Sequence, residues 1–166
     1  MKPSQLEQVI KAMHTEAYLW ARQCCDFDEE SAKDVLQEVY LKILEGKASF
    51  KEKSSIKTWL FAVIRFTAAE ALRKEKPSIP LDEQAEIVDI PETEIPESHE
   101  DLIRLLPERQ REVLLLVFYH GLTLDKAATV LELQIGTIRT HYDRGKKNLK
   151  DLILKKRTYE NAGERR

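Results

Sequence analysis

Apolar residues recur along most of the chain at the three- and four-residue spacing of an amphipathic helix, and every strong periodicity is helical. This spacing predicts a first helix over residues 5–25. A second helix carries an apolar stripe that we expect to be core, formed by Ala32, Val35, Leu36, Val39, Tyr40, Ile43 and Leu44. Asp28 or Ser31 can cap this helix, and Gly46 can end it. A third helix is expected to bury Ile56, Trp59, Leu60, Val63, Thr67 and Ala71.

The same spacing predicts further helices towards the C-terminus. Pro107 suits the first turn of a helix that continues to about His120 and ends at Gly121. Thr123 is a candidate cap for a short helix with Leu124, Ala127, Ala128 and Leu131 inward. A longer helix opens near Gly136, and its inward seam is Ile138, Tyr142, Gly145, Leu149 and Leu152. Two helices joined by so short a turn are typical of a helix-turn-helix.

Residues 77–100 separate the two helical regions. They contain four prolines and show no sustained helical period, which indicates a linker. We therefore predict an all-α protein with no sheet. Its two small lobes lie at 1–76 and 101–157, the linker lies at 77–100, and a frayed tail follows at 158–166.

Charge divides along the same boundaries. The 166 residues have a formal net charge of −2, but residues 75–100 contain nine acidic residues and one basic residue. Residues 101–166 contain 14 basic and nine acidic residues, whereas residues 1–74 are nearly balanced. The linker is therefore acidic, and the C-terminal lobe has the basic character of a nucleic-acid-binding domain.

Several classes of protein are disfavoured. The start of the chain has no signal-peptide core, and no apolar run approaches the length of a membrane span. The adjacent Cys24 and Cys25 form a poor metal site and a strained disulfide, so we expect buried, reduced thiols. Four scattered histidines, without a phosphate loop or nucleophile motif, argue against an enzyme. We expect a cytoplasmic protein without cofactor, metal, catalytic residues or membrane insertion.

The outward side of the last helix carries the residues suited to reading DNA. Residues 139–157 contain eight Lys/Arg and two Asp. A recognition helix contacts base edges near its N-terminus, which suits Arg139, Thr140 and Arg144, and uses flanking cations for phosphates. Those cations are Lys146, Lys147 and Lys150. The alternative is a solvated basic face.

The segment LPERQREVLLLVFYHGLTLDKAATVLELQIGTIRTHYDRGKKNLKDLI resembles region 4 of the extracytoplasmic-function (ECF) sigma factors. Likewise, ESAKDVLQEVYLKILEGKASFKEKSSIKTWLFAVIRFTAAEALRK resembles region 2. The two matches cover nearly the whole chain in the order of that family. The resemblance implies a subunit that gives RNA polymerase its promoter specificity. Region 4 would bind the −35 element and the β flap, whereas region 2 would bind the β′ clamp helices and melt the −10 element. An anti-sigma factor is a further expected partner.

Candidate contacts in the N-terminal lobe agree with this resemblance. The docking face for the clamp helices is Asp34, Gln37, Glu38 and Leu41, because a leucine within a polar, mostly acidic face suits a partner better than solvent. A solvated face with one stray leucine is the alternative. The −10 candidates are Lys51, Lys53, Phe61, Arg65 and Phe66, since aromatic rings beside cations suit unstacked bases. For Phe61, additional core is an equal alternative.

Some residues depart from the family pattern. Phe66 stands where relatives often have an asparagine that helps to hold a flipped −10 base. Glu132 stands where glycine is frequent, and Gln134 stands where a capping serine is common. His141 and Asp143 belong to a less arginine-rich recognition helix, so we include both in the −35 set and expect an atypical −35 sequence.

Two other functions are alternatives to this one. A stand-alone helix-turn-helix regulator explains the C-terminal lobe equally well, but the N-terminal lobe shows no evident ligand pocket or dimer seam. A protein-binding adaptor is disfavoured by the basic recognition face. The linker acids are candidate RNA mimics in a polymerase channel, or they only keep the linker soluble and away from DNA. They are Asp82, Glu83, Glu86, Asp89, Glu92 and Glu94.

Overall fold

The computed structural model describes residues 2–75 and 98–164, and all regular structure in these residues is helical. The first four helices are α1 Pro3–Ala12, α2 His14–Cys24, α3 Glu29–Leu44 and α4 Ile56–Glu75. The later ones are α5 His99–Arg104, α6 Glu108–Leu114 with a π-helical turn at Leu115–Tyr119, α7 Leu124–Leu131 and α8 Ile135–Glu164. The all-α prediction is confirmed. The acidic residues assigned to the linker from Asp82 to Glu94 lie outside the described residues.

The chain divides into two compact units. Among the described residues, the first unit contains α1–α4, and the second contains α5, α6 and α8. Residues 125–132, which form most of α7, group with the first unit. Helix α5 begins at His99, within the range predicted as linker, and Ser98 caps it by accepting a hydrogen bond from the Asp101 amide at 3.1 Å. A serine before an acidic first turn is a favourable helix start.

Helices α2, α3 and α4 form the core of the first unit by packing against one another. Trp20 on α2 and Phe61 on α4 are both fully buried. Their rings stack at a centroid distance of 5.7 Å and an interplanar angle of 6°. The Trp20 indole N–H also donates to the Phe61 carbonyl oxygen at 3.0 Å, so the only polar atom of this large side chain is satisfied inside the core.

Four details of this unit differ from the predicted pattern. The single helix over 5–25 is wrong, because the backbone breaks at Met13 between α1 and α2. Leu44 is 75% exposed although the periodicity assigned it to the core. Cys25 is buried as expected, but Cys24 is only half-buried. The buried stripe of α4 is also shifted, and consists of Thr58, Leu60, Phe61, Ile64, Thr67 and Ala68. Since α4 is apolar on several sides, its periodicity permits more than one stripe.

Helix α8 packs against α5 and α6 in the second unit. The core cluster here is Leu102, Leu106, Leu114 and Leu152. Gly145 permits the close approach of α6, because a Cβ atom at this position would lie 3.2 Å from Leu114 Cδ1. The Asn148 amide donates to Gln110 Oε1 at 2.8 Å beside this contact. Residues 158–164 of the predicted tail continue α8.

Candidate nucleic-acid and polymerase interfaces

One side of α8 presents most of the predicted −35 residues to solvent. Their side chains are exposed, whereas Ile138, Gly145 and Leu152 on the opposite side are buried. The exposed members are Arg139, Thr140, Asp143, Arg144, Lys147 and Lys150. The Thr140 hydroxyl donates to the Gly136 carbonyl at 3.1 Å, so its oxygen remains able to accept a hydrogen bond from a partner. The seam predicted from periodicity therefore separates a buried side from a basic exposed side.

His141 does not belong to this exposed side. It is only 7% exposed. On an ideal helix His141 is 60° from the Ile138 position, because three residues advance the helix by 300°. The predicted −35 contact of His141 therefore has no exposed side chain to make it in this structure.

An aromatic stack supports α8 at the edge of its exposed side. The π-helical turn after α6 exposes Phe118 and Tyr119 by 65% and 57%. The Phe118 ring stacks on Tyr142 at 5.8 Å, and the Lys146 ammonium lies 4.4 Å from the Tyr142 centroid. Lys146 is therefore held over a ring by a cation–π contact. Sequence periodicity missed this cluster, although the VFYH segment could have drawn attention to adjacent aromatic residues.

The connection between α7 and α8 is three residues long and contains a strained backbone position. Glu132 follows α7 with a φ of +54°, in the left-handed region that favours glycine. Glu132 preserves the left-handed conformation at a steric cost that glycine would not incur.

On α3, the four candidate docking residues Asp34, Gln37, Glu38 and Leu41 are all exposed. Leu41 is 44% exposed, and Leu44 extends this apolar surface by one turn. Leu41 and Leu44 border a groove of about 530 Å³ between α2 and α3. The other lining residues are His14, Tyr18, Lys33, Leu36, Gln37 and Tyr40. The sequence identified the acidic side of this surface but missed Leu44 and the α2 wall.

A hydrogen bond joins the two walls of this groove. His14 Nδ1 and the Tyr40 hydroxyl are 2.8 Å apart, and their rings lie 5.9 Å apart between centroids. Burial raises the pKa of Tyr40 above its ordinary value. The groove therefore has a fixed polar pair beside an apolar rim, an arrangement suited to a helical partner with an apolar anchor.

The predicted −10 residues do not share one environment. Lys51 and Lys53 are exposed in the loop before α4. In the same loop, the centroid of the Phe50 ring lies 5.4 Å from that of Trp59. Arg65 is half-buried, and Phe66 is 57% exposed. The expectation of an outward Phe61 is wrong, because the ring is fully buried against Trp20. Phe61 follows the core alternative, since an aromatic ring gains most by removal from water.

Lys42 is a residue of this surface that the sequence did not identify. Its ammonium lies 5.4 Å from the Phe66 centroid and forms an ion pair with Glu70 Oε1 at 2.8 Å. Its position near the end of α3 gave no sign of these contacts with α4. Only the packing of the two helices brings the groups together.

No other class of site emerges from the part of the chain that the structure describes. Within it, no group of three or more His, Cys, Asp or Glu side chains is arranged to hold a metal ion. Burial raises the pKa of the Cys25 thiol to about 11, with a smaller contribution from the charges of Asp28 and Glu75. This thiol is therefore unsuited to nucleophilic chemistry near neutral pH. Among the described helices, none is long and apolar enough to cross a membrane.

Comparisons with known proteins identify the same two regions. The family model described as "Sigma-70 region 2" matches residues 9–77, and "Sigma-70, region 4" matches residues 99–149. The chain is 32% identical over 149 residues to the "Probable RNA polymerase sigma-C factor" of Mycobacterium bovis, covering 85% of this chain and 79% of that protein. It is 27% identical over 143 residues to the "ECF RNA polymerase sigma factor SigW" of Bacillus subtilis, with coverages of 73% and 76%.

Solved structures show the same fold at lower identity. One is the sigma factor RpoE in complex with the anti-sigma factor NepR from Bartonella quintana, with a TM-score of 0.69 and 20% identity over 90% of this chain and 96% of that chain. Another is CnrH in complex with the cytosolic domain of CnrY, with a TM-score of 0.64 and 18% identity over 92% and 89% of the two chains.

Proposed function

The chain belongs to the ECF sigma factors of the sigma-70 family and is an RNA polymerase sigma factor, and we propose how its surfaces divide the work of transcription initiation. The exposed side of α8 reads the −35 element. The α3 surface binds core polymerase, and the α4 surface around Phe66 acts on the −10 element. The protein supplies binding and catalyses no reaction itself. It acts in the cytoplasm, where core polymerase works.

The observation that carries the −35 proposal is the segregation of α8 into a buried apolar side and an exposed basic side. Arg139 and Arg144 lie near the start of α8, where a recognition helix reaches base edges. Lys147 and Lys150 follow Arg144 by three and six residues and suit phosphates. Asp143 lies among these cations. Its negative charge repels phosphate, so it restricts where the DNA backbone can approach this side of α8. His141 is excluded because it is buried.

Single substitutions on α8 test this division. Arg139→Ala and Arg144→Ala should each cost about 1–3 kcal/mol of specific −35 binding. Lys147→Ala should weaken binding to all sequences and lower the salt slope by about one. Arg157→Ala is the matched control, because this exposed cation lies farther along the same helix. Normal transcription by both arginine variants from a −35-dependent promoter would show that these side chains are not part of the −35 interface.

The polymerase-binding proposal rests on the exposed α3 surface. Leu41 lies between acidic side chains at the rim of an apolar groove, and we assign the β′ clamp helices as its partner. Leu41→Arg should abolish co-purification with core polymerase while preserving helical circular dichroism. Leu72→Arg is the control, because Leu72 is 38% exposed on a different helix. A loss of helicity in Leu41→Arg would instead show that Leu41 stabilises the fold.

Two further partners are proposed without assigning individual contact residues. The β flap is assigned to the second unit from the family resemblance. An anti-sigma factor is proposed because the sigma factor RpoE from Bartonella quintana is described in complex with the anti-sigma factor NepR. A pull-down with the full chain as bait tests whether such a factor and core polymerase compete for α3. If they compete, the factor should be recovered only when no core polymerase is added.

Reconstitution tests the function as a whole. The purified chain should co-elute with core RNA polymerase and direct run-off transcription from specific promoters. Binding to duplex DNA as a dimer, without polymerase and without promoter-specific transcripts, would favour the stand-alone regulator instead.

A further inference from the structure

Lys146 lies on the exposed side of α8, two turns beyond Arg139. The two residues are seven positions apart, so on an ideal helix they differ by about 20° around the axis and by about 10 Å along it. A recognition helix reaches base edges with its N-terminal residues, and the major groove is about 12 Å wide. When Arg139 reaches a base edge, Lys146 therefore stands close to the rim of the groove, where the phosphates lie.

A tyrosine ring holds the Lys146 ammonium in place. The ammonium lies 4.4 Å from the centroid of Tyr142, which is half-buried one turn earlier on α8. Tyr142 packs against the buried leucine cluster of the second unit. Because Lys146 itself is exposed, this cation–π contact gives a flexible side chain a fixed place at the surface.

The Tyr142 ring is held in turn by Phe118, on the π-helical turn after α6. The two rings stack with centroids 5.8 Å apart and an interplanar angle of 18°. Phe118 remains 65% exposed in this contact. A ring that stays mostly in water contributes little apolar burial to the fold, so we assign its contribution to the orientation of Tyr142.

Asp143 is the group that competes for Lys146. It is exposed and lies three residues before Lys146, a spacing at which opposite charges pair on a helix. Within the described residues, Lys146 contacts the Tyr142 ring and forms no ion pair with Asp143. Such an ion pair would neutralise the charge of Lys146 and turn its N–H donors away from DNA. The ring contact leaves that charge available to a phosphate.

We propose that Tyr142 and Phe118 are positioning residues, which hold Lys146 towards a DNA phosphate at the edge of the −35 element and away from Asp143. This inference rests on the proposed role of the exposed side of α8 at that element. A side chain that is already held loses less rotamer freedom on binding, so the aromatic pair strengthens binding. It does not change sequence preference, because phosphate contacts carry no base information.

Neutral phosphates in the DNA test the contact of Lys146. The probe is the −35 duplex of a promoter mapped by the transcript 5′ ends that the full chain and core polymerase produce. One phosphate at a time is replaced by an uncharged methylphosphonate. One such replacement should weaken binding of the wild-type holoenzyme about tenfold. Lys146→Met should abolish that difference and lower the salt slope by about one.

Substitutions of the two rings test their positioning role. Tyr142→Leu should weaken binding to the unmodified duplex about two- to fivefold and reduce the methylphosphonate effect, whereas Tyr142→Phe, which keeps a ring, should match wild type. Phe118→Leu should act in the same direction, and it carries the test if Tyr142→Leu fails to fold. Tyr119→Leu is the matched control, because this neighbouring ring is 57% exposed and contacts His120.

A double-mutant cycle tests the competition with Asp143. Asp143→Asn removes a negative charge and should strengthen binding of every variant to DNA. It should do so by a larger factor in Tyr142→Leu than in wild type, because Asp143 captures Lys146 only when the ring is missing. The preference for the −35 sequence over a base-exchanged duplex should stay within about twofold of wild type in Tyr142→Leu.

The outcomes separate the inference from the proposed function. Absence of −35-dependent binding by the wild-type holoenzyme would overturn the proposed function itself. Normal −35 binding with no phosphate coupled to Lys146, or with Tyr142→Leu and Asp143→Asn acting independently, would overturn only the positioning role. A changed base preference in Tyr142→Leu would place the ring against a base and contradict the inference. If Phe118→Leu weakens binding to core polymerase and leaves the phosphate coupling intact, Phe118 contacts protein and positions nothing.

Discussion

Two replacements of Phe61 distinguish a core side chain from a DNA-contacting one. Its ring is fully buried and stacked on Trp20, so Phe61→Ala should cost about 3–5 kcal/mol through lost burial and an unfilled cavity. Phe61→Leu keeps most of the apolar volume and should cost about 2 kcal/mol, from changed shape and the lost ring contact. A unit of this size has a total stability of roughly 4–11 kcal/mol, so the alanine variant approaches or crosses the unfolding threshold.

Urea unfolding followed by tryptophan fluorescence measures these costs. The chain has two tryptophans, Trp20 and Trp59, and both lie in the first unit, so the signal reports on that unit alone. If the free energy of unfolding falls by about 1 kcal/mol per molar urea, Phe61→Leu should lower the urea midpoint by about 2 M. Transcription by the leucine variant should remain near wild type below its unfolding temperature. A wild-type midpoint combined with lost promoter melting in both variants would refute the core assignment.

Three other changes test local features of the fold. Gly145→Leu should destabilise the second unit by about 1–3 kcal/mol through overpacking against Leu114, as measured by circular dichroism, whereas Gly136→Ala should not. Glu132→Gly should raise stability by about 1 kcal/mol by relieving its left-handed backbone, and no gain would show that the turn is unstrained. Since the Cys25 thiol pKa is raised from 9.0 to about 11, its neutral form favours folding, and this contribution should be lost as pH rises through that range. Urea midpoints of wild type should therefore fall more between pH 8 and 11 than those of Cys25→Ala.

Local sequence patterns were sufficient for much of the helical architecture and for the exposed side of α8. Ile138, Gly145 and Leu152 repeat at helical spacing and are buried, which leaves Arg139, Arg144 and Lys147 on the opposite side. Gly46 and Gly121 end their segments with positive φ angles, as expected where only glycine is unstrained. These features depend on neighbours within a few residues, so they can be predicted from the sequence alone.

The environments of particular side chains required the packing of one helix on another. Helix α4 is apolar on several sides, and its periodicity alone could not choose whether Phe61 or Trp59 turns to the core. The position of Trp20 on α2 makes that choice, by stacking on Phe61 and donating to its carbonyl oxygen. Likewise, only the contact between α3 and α4 brings Lys42 under Phe66, although the two residues are 24 positions apart in the chain. The sequence therefore determined the helices and the polarity of their sides. Tertiary structure decided which apolar side chains are buried and which remain available to partners, because burial depends on packing against a helix that is distant in the sequence.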